Sequence, residues 1–231
     1  MFRNKKHLFF DLDHTLWDFD YNSSETLTEL WSQFELDHLD IELDQFLIRF
    51  KEINEAMWEK LNVGKISKDE IRHERFPTVL KAFNVVDNTL ASKIAAEYID
   101  ICPTKPHLID GAKELLNNIQ DRYELHIITN GFDEIQETKL NSGGIKHFFK
   151  HIITSGTTGY KKPDRQIFDH ALNLAGADLE SSLMIGDNPI SDIQGAHLIG
   201  LDQVFYNPNK LMCPVSPTLE ITSMRELLPH F

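Results

Sequence analysis

Between Asp110 and Tyr206, short apolar runs alternate with segments of helical period, and this alternation constrains the fold more than any other feature of the chain. The runs are Leu125–Thr129 (LHIIT), Ile152–Thr154, Leu183–Ile185 and Gln203–Tyr206. Each is too short for a helix and is bounded by turn-forming residues, which reads as a buried strand. The segments between them, about Asp133–Leu140, Asp164–Leu174 and Ser191–Ile199, read as helices; an earlier one, capped by Asp110, carries Leu115, Leu116 and Ile119. Such a succession packs as right-handed βαβ units, that is, a parallel sheet covered by helices on both faces. One more apolar run, Leu8–Phe10, stands far upstream and is expected to join the same sheet.

The stretch between that first strand and the alternating region has no convincing strand. Asn22 with Glu25 resembles a capping box ahead of Leu27, Leu30, Trp31 and Phe34. A second amphipathic helix runs through Phe46, Phe50, Met57 and Leu61 to Gly64, and Ser67 with Glu70 opens a third, which contains Pro77. A fourth starts at Asp87 or Asn88. The expected fold is therefore α/β, a doubly wound, Rossmann-like parallel sheet with an inserted all-helical domain. The sheet domain takes residues 1–19 and 103–231, and the insert, a lid over it, takes residues 20–102. Phe19–Tyr21 and Cys102–Pro106 are the expected hinges. The insert's aromatic stripes read as bundle core. The tail beyond Asn207, rich in proline, is expected to end in a short amphipathic helix.

Composition narrows the partners. A net charge of −13 is the wrong sign for a large nucleic-acid or anionic-membrane footprint. It leaves room for a small phosphorylated molecule held by one or two lysines. Cys102 and Cys213 have neither disulfide-framework nor metal-ligand spacing. No stretch is long and apolar enough for a signal peptide or a membrane span, so the expected setting is the cytoplasm.

Ligands of a doubly wound sheet bind outside the carboxyl ends of its strands. Those ends read Asp11 and Asp13 after the first strand, Thr129-Asn130-Gly131 after LHIIT, Lys161-Lys162-Pro163 in the loop after Ile152–Thr154, and Gly186-Asp187 after LMI. Asp11 and Asp13, two apart, point to the same side of an extended chain. Taken alone they either cap a turn or share a cation. Together the four ends supply what phosphoryl transfer requires. Asp11 serves as nucleophile, Asp13 as acid and base, Mg²⁺ as the hard cation between carboxylates, and Thr129 with a lysine as the holder of phosphoryl oxygens.

DLDHT, IITNG, KKP and GDNPISD, in that order, resemble the four motifs of the haloacid dehalogenase superfamily, and the helical insert after the first resembles its C1 cap. The resemblance implies a phosphomonoester hydrolase working through an aspartyl-phosphate. Asp11 and Asp13 would be catalytic, with Mg²⁺ held by Asp11, the Asp13 carbonyl and Asp187, and phosphate by Thr129, Asn130 and Lys162. Lys161 is the alternative to Lys162. Thr15 would orient Asp13, and Asp192 would either stand behind the metal or serve as an N-cap or first-turn acid of the following helix. With Asp13 and Asp187 both present, phosphoryl chemistry is expected over carbon–halogen hydrolysis. A phosphosugar phosphatase, a phosphomutase and a silent phosphate-binding module keep the same motifs. TNGFDEIQETKLNSGGIKHFF is similar to the YjjG/YfnB-type nucleotidase subgroup, which implies a nucleoside 5′-monophosphate, with Trp17, Phe19 and Tyr21 near the entrance.

Overall fold

A computed structural model of the protein describes residues Met1–Phe231 and divides into two compact units, Asp20–Lys105 and the remainder, Met1–Phe19 with Pro106–Phe231. The larger unit is built on a six-stranded sheet formed by β1 (His7–Phe10), β2 (Glu124–Thr129), β3 (Phe149–Thr154), β4 (Ser182–Gly186), β5 (Asp202–Tyr206) and β6 (Leu219–Ile221). Its order is β3-β2-β1-β4-β5-β6, with every neighbouring pair parallel. Leu8, Phe9 and Phe10 of β1 are all fully buried, as a central strand covered on both faces requires. The winding reverses between β1 and β4, and in sheets of this kind ligands bind beyond the carboxyl ends of the strands at such a point.

The smaller unit holds most of α1 (Phe19–Gln33) and all of α2 (Leu43–Asn62), α3 (Lys68–Lys81) and α4 (Asn88–Ile101). Its core is the expected stripe, with Phe46, Phe50, Phe76 and Leu80 among the buried residues. The Ser67–Glu70 capping box forms, and Asp87 caps α4 by accepting from the Leu90 N–H. The first capping box does not. α1 begins at Phe19, so Asn22 is a buried residue of the helix interior. Arg75 lies inside the bundle with its guanidinium carbon 5.1, 5.4 and 4.7 Å from the ring centres of Phe50, Phe76 and Tyr98, and it donates to Asn54 Oδ1 at 2.9 Å. Aromatic faces and an amide oxygen thus stabilise a charge that burial alone would expel.

In the sheet unit the helices are α5 (Ala112–Ile119), α6 (Asp133–Ser142), the single-turn α7 (Ser155–Thr158), α8 (Arg165–Ala175) and the single-turn α9 (Gly195–Leu198). Phe9, Ile128, Ile153 and Met184 from four strands pack with Ile167, Phe168 and Ala171 of α8 into one core. Asp110 does not cap α5. Gly111, at φ 82°, precedes the helix, while Asp110 and Glu114 pair with Arg225. The segment expected as one helix over 191–199 starts instead as a π-helix, Pro189–Gln194, before α9. The tail carries β6 as well as the expected short helix, a 3₁₀ turn over Met224–His230.

Candidate active site

The ends of β1 and β4 place the first carboxylates. The Asp11 N–H donates to the Ile185 carbonyl at 2.9 Å, extending the ladder one residue past β1. The chain then turns sharply: the N–H groups of Leu16 and Trp17 both donate to the Leu12 carbonyl at 2.9 Å, and His14 adopts φ 62°. Leu12, Leu16 and Trp17 are fully buried and anchor this turn, so Asp13 and Thr15 are presented from a fixed backbone. Trp17 is therefore a packing residue, closed to a stacking ligand.

Asp11, Asp187 and Asp192 each bring a carboxylate oxygen within 4.8 Å of the other two. Lys162, 1 % exposed, places Nζ 2.5 Å from Asp11 Oδ1 and 2.7 Å from Asp192 Oδ1. Of the two adjacent lysines it is Lys162 that reaches the carboxylates; Lys161 is half-buried, and its backbone N–H bonds Asp164. Asp192 is a first-turn acid of the π-helix and not its cap. Its Oδ2 accepts from the Asn188 N–H, and Asn188 itself caps the π-helix through Oδ1. Gly186 is required here, because a Cβ at that position would lie 2.3 Å from Asp192 Oδ2.

Three carboxylates around one ammonium leave the cluster negative, and the titration behaviour follows. Burial pushes the Asp11 carboxyl well above the usual carboxylate range; Lys162 opposes this, and Asp192 and Asp187 add to it. Burial, reinforced by Asp192, pushes Asp187 up to about 7 against the Thr15 hydroxyl and Lys162. Burial also disfavours the charged Lys162, but Asp11 and Asp192 outweigh it and hold the ammonium above its ordinary value. A buried all-oxygen donor set with excess negative charge fits a hard divalent cation such as Mg²⁺.

The other residues singled out in the sequence lie around this cluster in the following contacts. Thr129, 1 % exposed, ends β2 at the rim and accepts the Gly131 N–H at 3.0 Å. The Asn130 side chain is spent on the next loop: Nδ2 donates to the Lys162 carbonyl at 2.9 Å, and Oδ1 accepts the Lys162 N–H at 2.8 Å. It thereby fixes the backbone that carries Lys162. The Thr15 hydroxyl donates to Asp187 Oδ1 at 3.0 Å, so it orients Asp187 rather than Asp13. Both oxygens of the Asp13 carboxylate accept from Lys139 Nζ, at 2.6 and 2.8 Å.

Sequence reasoning assigned Lys139 no role. It is 3 % exposed, on α6, with Nζ 4.5 Å from the Trp17 ring centre. The spacing of Gln136 and Lys139 in the motif was the available signal, but nothing local shows that a helical lysine will reach a turn 126 residues upstream.

A family model described as haloacid dehalogenase-like hydrolase matches residues 5–200. The chain is 33% identical to the pyrimidine 5′-nucleotidase PynA of Streptococcus pneumoniae (strain ATCC BAA-255 / R6) over 227 residues, covering 96% of this chain and 93% of PynA. It is 32% identical to the pyrimidine 5′-nucleotidase YjjG of Escherichia coli (strain K12) over 223 residues, 95% of each chain. Among solved structures it is similar to the HAD-hydrolase YfnB of Bacillus subtilis bound to magnesium, with TM-score 0.88, 31% identity and 98% of both chains covered. The chain therefore belongs to the haloacid dehalogenase-like hydrolase family.

Proposed function

We propose that the protein is a Mg²⁺-dependent phosphomonoesterase that acts through an aspartyl-phosphate on nucleoside 5′-monophosphates. The observation that carries this reading is the buried Asp11 carboxylate, flanked by Lys162, Asp187 and Asp192. Asp11 attacks phosphorus while the bond to the leaving oxygen breaks, and Asp13 gives that oxygen its proton. Water then attacks phosphorus, Asp13 takes its proton, and phosphate leaves as Asp11 is freed. Lys162 and the Thr129 hydroxyl hold the phosphoryl oxygens as charge accumulates on them. Asp11, Asp187 and the Asp13 carbonyl would hold the cation, with Asp192 behind them. When bound, Mg²⁺ supplies the neutralisation that lets one anion approach another.

Choice of a nucleotide rests on the relatives, two of which are pyrimidine 5′-nucleotidases. The protein serves as a catalytic core at residues 1–19 and 103–231 and a cap at 20–102. The test is phosphate release from a panel of nucleoside monophosphates and sugar phosphates, with water as sole acceptor, in Mg²⁺ and in EDTA. Release in Mg²⁺ alone, fastest with pyrimidine monophosphates, is expected. Isomerised sugar phosphate without free phosphate would replace this reading with a mutase.

A further inference from the structure

The amino-terminal ends of β1, β2 and β3, remote from Asp11, carry a cluster that the proposed reaction does not use. His7 opens β1 opposite Glu124 of β2, and His126 lies between Phe9 of β1 and His151 of β3 in the ladder. Matching register in parallel strands puts these side chains on one face of the sheet. His7 is four residues before Asp11, about 13 Å along an extended strand.

His7 Nδ1 lies 3.4 Å from His126 Nε2 and 3.6 Å from Glu124 Oε2. One ligand atom from each of the three residues falls within 4.8 Å of the other two. Four nitrogen and oxygen ligands at roughly 2.1 Å from a tetrahedral ion are separated from one another by about 3.4 Å. Both short distances match that edge.

Packing does not account for His126. It is fully buried, and its Nε2, the nitrogen a metal would take, faces His7 Nδ1 across 3.4 Å. An apolar side chain would fill the position without desolvating a polar ring. Stacking on Phe9, at 4.8 Å between ring centres, and on His151, at 5.3 Å, sets the ring plane.

We propose that His7, His126 and Glu124 form a second metal site, taking one Zn²⁺ or a similar imidazole-binding first-row divalent ion and stapling β1 to β2. The two-imidazole, one-carboxylate donor set separates it from the all-oxygen cluster around Asp11, which suits Mg²⁺. Three protein ligands leave the fourth position to water. Glu124 presently pairs with Lys150 at 2.8 Å; both side chains are exposed, so the carboxylate can exchange the ammonium for the ion while Lys150 returns to water.

The experiment is a calorimetric Zn²⁺ titration of the full chain, stripped with EDTA and then saturated with Mg²⁺, alongside thermal melts with and without Zn²⁺. One equivalent of Zn²⁺ should bind and raise the melting temperature. His7→Gln should weaken that binding at least tenfold and remove the thermal shift, whereas Asp187→Asn should retain both. Glu124→Gln, an exposed change, should weaken binding in the same way and replaces His7→Gln in the comparison if that variant folds poorly. No Zn²⁺ uptake by the Mg²⁺-saturated protein, undiminished uptake in both ligand variants, or its loss in Asp187→Asn would overturn the proposal.

Discussion

Asp11 and Lys162 are individually unfavourable in a folded interior and are retained together. Burying one carboxylate costs several kcal/mol unless it is compensated, and here a single ammonium serves Asp11 and Asp192 with Asp187 beside them. Such an arrangement suits the cation of the proposed reaction better than it stabilises the fold. Asp13 is held differently. Lys139 bonds both of its oxygens and rests on Trp17, so the carboxylate that the proposed reaction uses twice has one fixed position. Methionine is unbranched like lysine, one atom shorter and uncharged, and packs well on an indole. Lys139→Met should therefore lower kcat roughly tenfold with KM little changed, short of the 10² or more, in order of magnitude, expected for losing Asp13 as acid and base. Steady-state kinetics with an unaltered melting temperature would bear this out; an unchanged kcat would deny Lys139 that role.

At the scale of elements, legibility followed the length and period of each signal. The strands β2, β4 and β5 stood out because a run of apolar residues between turns has few other readings, and the capping box at Ser67 places a real helix start. What misled was local chemistry with two uses. Asn22 and Glu25 have capping-box spacing, yet the helix begins three residues earlier, at Phe19, and Asn22 is buried within it. β6 is three residues long and sits among prolines, where no period can show; it exists because β5 offers it an edge, pairing Val204 with Leu219. Arg75 was equally illegible, since a charged residue in α3 gives no sign of entering a core of Phe50, Phe76 and Tyr98. The physics of that position separates two substitutions. Arg75→Ala loses the packing and the cation–π contacts and should cost about 2–4 kcal/mol in urea unfolding. Arg75→Met keeps the volume and removes a buried charge, while Asn54 Oδ1 still accepts from Trp58 Nε1 at 3.2 Å, so it should cost about 1 kcal/mol or less. Equal losses in the two variants would contradict this division.

Taken as a whole, the chain brings together in one cluster residues as far apart in sequence as Asp11 and Asp192. The motif residues were readable because each falls at a strand's carboxyl end, where the fold class alone directs a ligand. Their partners were not. Thr15 on Asp187, Asn130 on the Lys162 backbone and Lys139 of α6 on Asp13 are contacts between segments distant in sequence, fixed by how the strands are ordered and not by any local spacing. The proposed function stands on Asp11 carrying the phosphoryl group between substrate and water. Acid-quenched single turnover with a phosphate-labelled nucleoside monophosphate in Mg²⁺, followed by peptide mapping, observes that transfer itself. Transient label is expected on the peptide containing Asp11, with neither label nor phosphate release in Asp11→Asn. Phosphate release persisting in Asp11→Asn, or label on another residue, would contradict it.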